Sequence, residues 1–270
     1  MDIEGVMGMG AVLAFALRLY HYAEVQGLCP RIVSTNPLYS TGRGVDCLGP
    51  HLGSEHHPFP PSEALRFHNF ESLFYLRIPR HLTLERASYL FWKYLPPRNE
   101  INELVDSAVA RVPTGQFDLS LHYRGTDKVL EAEAVKLSLV EAAVDRHQAA
   151  GGLLRHVFLA TDDPAFERFV LDRWPSTTFS TFNLGRPADP TMPRHFSNLR
   201  PEDKTVEAIV NMLLIARAPA CIRTSSYMSA LSKIMNPTLR TLTLNRTFDG
   251  STAFPEHEIL ADEGVHTPLD

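Results

Sequence analysis

The chain has 270 residues, with 26 Lys and Arg against 31 Asp and Glu, a net charge of −5, and 44% hydrophobic residues. This is ordinary globular composition, enough for one large or two smaller domains whose cores need no disulfide or metal staple; collagen, a disordered chain and a disulfide miniprotein are excluded. The acidic balance argues against a nucleic-acid-binding protein, which carries a basic surplus, but is compatible with one basic pocket for a phosphorylated ligand.

The most apolar stretch, 5–16, is too short for a bilayer span. Asp2 and Glu4 precede it, opposite to the cationic start of a signal peptide. It reads as part of a helix over 10–25, with Leu13, Leu17 and Tyr20 at helical spacing and Gly27 beyond the end. The expected location is cytoplasmic, with Cys29, Cys47 and Cys221 as free thiols, none of them in a CxxC pair. A short strand over 30–34 follows. Residues 36–62, rich in Gly, Pro, His and Ser, form a long irregular segment of the kind that often carries function. His51, His56 and His57 in it have no Cys or carboxylate at a zinc-site spacing, so no metal is expected. Helices over 84–95 and 99–111 are split by Pro96-Pro97.

From 117 the pattern changes. Strands are predicted over 117–122, 156–160, 177–182, 220–223 and 239–244. Helices alternate with them over 135–148, 163–172, 202–217 and 226–235. The third of these helices has apolar residues at 206, 209, 210, 213 and 214. Such alternation implies a parallel, doubly wound sheet. The boundary between two Rossmann-like α/β halves, 1–114 and 115–270, is placed at Pro113-Thr114-Gly115.

Three predicted strand ends carry polar clusters, where parallel sheets bind ligands. The first is His122-Tyr123-Arg124-Gly125-Thr126-Asp127-Lys128, the second Thr161-Asp162-Asp163-Pro164, the third Thr224-Ser225-Ser226. Arg124 and Lys128 offer charge-assisted donors suited to a diphosphate, unless the cluster is a solvated turn with a surface ion pair. Asp163 is the better helix cap, which leaves Asp162 to meet a ligand. Thr224, Ser225 and Ser226 precede a helix whose first amides suit phosphate, and a capping role there is compatible with binding. Gly8-Met9-Gly10 fails the dinucleotide pattern because Leu13 stands at the third glycine position, and too few residues precede it for a full first strand. Neither a P-loop nor a GxSxG elbow is present.

The peptide His122–Val129 resembles the HxRxxDK motif of GDP-fucose-dependent fucosyltransferases, in particular the eukaryotic α-1,6 enzymes and the rhizobial nodulation enzymes. Val157–Pro164 and Ala220–Ser226 are similar to two further peptides of that family, in the same order, and Gly8–Leu13 to its glycine-rich opening. The resemblance implies a GT-B-like fold and inverting transfer from a GDP-sugar to a glycan or glycoconjugate acceptor, without metal or other cofactor. By position it implies donor binding by His122, Arg124, Lys128, Asp162, Asn211, Thr224, Ser225 and Ser226. The catalytic candidates are Arg124 and the carboxylates Asp127, Glu131 and Glu133. The departures are Asn211 in place of the family's guanine-reading Asp, with Glu207 one turn earlier, Gly125 in place of a second Arg, and Ala132 where the acceptor-activating Glu aligns. They keep two other readings open: a transferase for another nucleotide sugar, and a binding protein without turnover. Tyr39, Arg43 and His51 are the polar candidates for an acceptor pocket.

Overall fold

The computed structural model describes residues 2–3, 8–28, 30, 33–34, 38–39, 82–125, 132–185, 198–247, 255 and 258–261. The second half forms the sheet that the alternating pattern predicts. Strands β3 (Leu119–Tyr123), β4 (His156–Thr161), β5 (Thr178–Ser180), β6 (Ala220–Arg223) and β7 (Arg240–Thr243) are all parallel, in the order β5-β4-β3-β6-β7. Strand alternation sorts their side chains between two cores. Leu119, Leu121, Val157, Leu159, Ala220 and Ile222 pack with helices α4 (Leu137–Ala149) and α5 (Pro164–Arg173). Phe158, Ala160 and Cys221 pack in the other core with α6 (Pro201–Ala216) and α7 (Tyr227–Met235). Covered on both faces, the strands can be apolar along nearly their whole length. The chain starts at the sheet centre with β3, winds outward through β4 and β5, then returns to β6 on the other side of β3. The carboxyl ends of β3 and β6 therefore flank the topological switch point, where open parallel sheets bind ligands.

Local signals set the helix ends. Asp163 Oδ1 accepts from Ala165 N (2.8 Å) and Phe166 N (3.3 Å), with Pro164 at the first helical position. Ser226 Oγ accepts from Met228 N (3.3 Å) at the start of α7. Gly151, at φ 83, takes the left-handed conformation that ends α4. The apolar stripe read for α6 understates its burial. From Glu207 to Ala216 every residue is buried, because the helix is wedged between the sheet and helices of the first half.

A strand does precede the glycine-rich turn, although the sequence left little room for one. β1 (Asp2–Ile3) is two residues long and pairs in parallel with β2 (Val33–Ser34). The helix between them, α1 (Met9–Val25), is buried on all sides from Met9 to His21, as an apolar helix without a polar face must be. It packs on α7 and on α2 (Leu84–Tyr94), while α3 (Asn99–Ala110) packs on α6. Helices from both sides of residue 114 thus share one core. Glu24 fastens α1 to α2 by accepting from Lys93 Nζ and Tyr94 OH, each at 2.6 Å, and by pairing with Arg86. Burial alone would raise its pKa, but these partners hold the carboxyl down at about 2. Arg18, also on α1, grips Glu258 (2.8 Å) beside the buried Ile259 and Leu260. Among the described residues no helix is long and apolar enough to cross a membrane.

Gly10 is the point of closest approach between α1 and α7. A Cβ there would lie 2.7 Å from Tyr227 Cβ and 2.9 Å from its carbonyl carbon. Gly10→Val therefore forces the two helices apart. The expected cost is about 1–3 kcal/mol, the usual range for overpacking, or a melting temperature lower by about 2–4 °C per kcal/mol. A thermal melt checks this, and an unchanged melting temperature would contradict the close packing of the two helix starts.

Candidate active site

The switch point opens into a cleft. Its walls include His122, Tyr123 and Arg124 from the end of β3, Thr161 and Asp162 after β4, and Lys204, Glu207, Ala208 and Asn211 along α6; Tyr39 and Met228 also line it. Strand pleat explains the first group. Ser120 faces α6 and donates to Ile215 O and Ala220 O, so His122, two residues on, faces the same way. Tyr123 points to the opposite face, stacks on Phe166 with ring centroids 4.1 Å apart, and donates to Val135 O (3.2 Å). Burial, then the charges of Asp163 and Asp162, raise its pKa, so it stays a neutral donor.

Arg124 is held at both ends. Its backbone N–H donates to Thr224 Oγ1 (3.0 Å), while Thr224 N donates to His122 O (3.0 Å), lacing the ends of β3 and β6 together. Its Nε lies 3.5 Å from Asp162 Oδ2. Asp163 caps α5, as its sequence context predicts, and Asp162 lines the cleft. Gly125 next door has no room for a side chain. A Cβ would meet Tyr123 Cε1 at 2.7 Å and Asp163 Oδ2 at 2.9 Å.

The third peptide is engaged within the chain. Ser225 N donates to Asn245 Oδ1 (2.7 Å), Ser225 Oγ to Asn245 O (2.9 Å), and Asn245 Nδ2 to Glu133 O (2.7 Å). Ser229 Oγ donates to Thr224 O (3.3 Å). Thr224, Ser225 and Ser226 are all buried, so these side chains shape the loop before α7. Glu133 N also donates to Arg246 O (3.0 Å), and Ala132 bridges Thr247. Asn245, absent from the sequence-based candidates, thus joins the phosphate-type peptide to the segment carrying Glu133. A lone Asn one residue past an apolar strand gives no signal of its own.

On α6, Asn211 is committed by its amide. Nδ2 donates to Phe182 O (3.0 Å) and Glu207 O (2.8 Å), and with two carbonyls as neighbours the amide can take only this orientation. Its oxygen alone remains to accept. Glu207 Oε2 accepts from Leu184 N (2.6 Å), which orients the carboxylate at the cleft wall. Lys204, a missed residue, stands three before Glu207 and seven before Asn211, so helical spacing alone would have put it on the same face.

The cleft brings His122, Arg124, Asp162 and Asn211 together, with Thr224 directly behind Arg124. Glu133 is exposed and does not line the cleft. Asp127, Lys128, Glu131, Arg43, His51 and the cysteines Cys29 and Cys47 lie outside the described residues. Cys221 is a free, fully buried thiol. Burial pushes its pKa up to about 11, against smaller opposing effects of Ser120 and Arg223, so it behaves as a small apolar core residue.

A doubly wound sheet with a polar cleft at its switch point defines the class of open parallel α/β folds that bind ligands there. No family model and no curated protein sequence matches the chain. Solved structures do match it in fold. NodZ α-1,6-fucosyltransferase soaked with GDP-fucose superposes with a TM-score of 0.57 at 16% identity, over 93% of this chain and 99% of that one. Fucosyltransferase NodZ from Bradyrhizobium matches with the same TM-score and identity, over 93% and 98%. A mutant of Arabidopsis thaliana FUT1 in complex with GDP matches with a TM-score of 0.51 at 9% identity, over 92% and 71%. The chain has the α/β fold of these proteins, as its three peptides implied.

Proposed function

We propose that this protein is a glycosyltransferase that moves fucose from GDP-fucose to a glycan hydroxyl, with inversion at the sugar carbon. The observation that carries the reading is the cleft itself. It has a buried carboxylate at one wall and a guanidinium at the other, at the switch point of a fold shared with a fucosyltransferase soaked with GDP-fucose. Guanine offers adjacent N–H donors, and a carboxylate accepts two such bonds where an amide oxygen accepts one. Glu207 is therefore the base reader in this reading, with Asn211 Oδ1 as an auxiliary acceptor.

In the reaction the acceptor oxygen attacks the anomeric carbon while the bond from that carbon to the β-phosphate oxygen breaks. The electron pair stays on the diphosphate, and the acceptor proton passes to a carboxylate. Arg124 and Lys128 stabilise the charge growing on the leaving diphosphate. Glu133, Glu131 and Asp127 are the base candidates. A second reading, donor binding without turnover, is favoured by one observation: Ala132, aligned with the family's catalytic Glu, is buried in a backbone bridge to Thr247.

The test is a thermal-shift panel with GDP, GDP-fucose, GDP-mannose, UDP and ADP. A ligand at ~100 times its dissociation constant stabilises the native state by roughly 2.7 kcal/mol. A guanine-selective shift is expected, and no shift with any nucleotide overturns the reading. Glu207→Gln is expected to weaken GDP at least about tenfold and to bring its affinity down towards that of inosine diphosphate, which lacks the 2-amino donor. An unaltered GDP-to-inosine-diphosphate ratio would remove Glu207 from the base site. A transfer assay with a glycan mixture separates turnover from binding alone.

A further inference from the structure

Asn183 is absent from the sequence-based candidates, yet it lines the cleft together with Glu207 and Asn211. It stands three residues beyond the carboxyl end of β5. Asn183 is exposed, but the backbone on each side of it is fixed. Phe182 packs against the core that holds α6 and α7, and its carbonyl accepts from Asn211 Nδ2 (3.0 Å). Leu184 N donates to Glu207 Oε2 (2.6 Å). Two residues on from Asn183, the missing side chain of Gly185 leaves the space that Leu199 fills, since a Cβ there would lie 2.7 Å from Leu199 Cδ2. Two α6 side chains of the cleft wall thus hold the carbonyl before Asn183 and the amide after it. Among the described residues nothing bonds the Asn183 amide itself, so a fixed backbone presents an uncommitted amide to the cleft.

The chemistry of the neighbouring wall says what that amide can meet. One edge of guanine runs O6, N1–H, N2–H, an acceptor followed by two donors. Glu207 and Asn211 Oδ1 accept, so they suit the two donors, and O6 needs a donor from another side chain. Asn183 brings one next to Glu207, because the residue that follows it is bonded to that carboxylate. Leu199 and Ala208 also line the cleft and supply the apolar surround of a planar base.

We infer that Asn183 is a base-reading residue of the donor site, whose Nδ2 donates to O6 of guanine while Glu207 accepts from the N1–H and N2–H groups. This rests on the guanine reading of the cleft proposed above. With adenine, Asn183 can turn its amide and accept from the amino group, but N1 then offers Glu207 no proton. Discrimination against adenine therefore stays with the carboxylate, and Asn183 adds affinity for the 6-oxo group.

The experiment is calorimetric titration of the full chain with GDP, guanosine and 6-thioguanosine diphosphate, in which sulfur, a weak acceptor, replaces O6. The proteins are wild type, Asn183→Ala and Asn183→Asp. Wild type is expected to bind GDP about tenfold more tightly than the thio analogue. Asn183→Ala should weaken GDP and guanosine alike by about tenfold, leave the thio analogue nearly unchanged, and so erase the preference. Asn183→Asp has no donor and turns a charge towards O6, so it should weaken GDP further. Melting temperatures of the ligand-free variants should match wild type, because the side chain is exposed. Unchanged GDP affinity in Asn183→Ala, or an equal loss for GDP and the thio analogue, overturns the inference while the guanine reading stands. A loss for GDP without one for guanosine moves the residue to the diphosphate and overturns it as well. A folded wild-type protein that binds neither GDP nor guanosine overturns the guanine reading, and this inference with it.

Discussion

Arg124→Ala is expected to eliminate GDP binding while the ligand-free protein stays folded. The substitution removes the guanidinium but keeps the backbone bond from residue 124 to Thr224 Oγ1, so the junction of β3 and β6 survives. Two effects add in the bound state. The charge-assisted bonds to the diphosphate disappear, and Asp162, whose side chain is 9% exposed, is left facing the ligand without its cation. Together they amount to about 3 kcal/mol or more, which is a loss of at least about 100-fold in affinity. The measurement is the GDP-induced thermal shift at a concentration that saturates wild type. Its persistence in a folded Arg124→Ala protein would remove Arg124 from the donor site. Arg124→Lys should recover only part of the binding, since a point charge does not reproduce the fork that grips two phosphate oxygens.

Asn245→Ala should be the most destabilising single change near the cleft. It deletes the acceptor of the buried Ser225 N–H and the donor to Glu133 O, both at 2.7 Å, and leaves Ser225 N in a site with almost no water access. An unmet buried polar group costs about 1–3 kcal/mol, so a total of about 2–4 kcal/mol is expected. A melting temperature lower by roughly 5–12 °C would follow for a chain of this size. Asn245→Asp keeps the acceptor and loses the donor, and should fall between the two. GDP binding, measured at a temperature where the variant is folded, should weaken as well, because the same bonds set the loop ahead of α7. A melting temperature within about 1 °C of wild type would contradict the network.

The helices and strands of the second half were legible because period and punctuation agree there. Apolar strand runs alternate with capped helices, and Asp163-Pro164 and Ser226 mark helix starts that the structure confirms by hydrogen bonds. The three polar peptides could be placed at strand ends for the same reason, and the sorting of Asp163 as a cap from Asp162 as a cleft residue needed only the capping rule. The first half was less legible. α1 carries no polar face, so its sequence shows that it is buried but not what buries it, and a two-residue strand is too short to leave a period.

The amino-acid order was sufficient for the parallel α/β class, the absence of a P-loop and the identity of the peptides at the switch point, since these depend on local periodicity and residue chemistry. Which of those residues face one another depended on the tertiary structure. Only packing shows that the Asn211 amide nitrogen is committed to Phe182 O and Glu207 O, which leaves its side-chain oxygen to accept, and that Tyr123 and Asp163 fill the space beside Gly125. Lys204 shares a helix face with Glu207 and Asn211, and that face lines the cleft because α6 is wedged against the sheet. Asn245 matters only because β7 ends beside β6. Most of these contacts join residues about 20 to more than 100 positions apart, and the hydrogen-bond capacity that they consume, or leave available for a ligand, is decided by the three-dimensional packing of the chain.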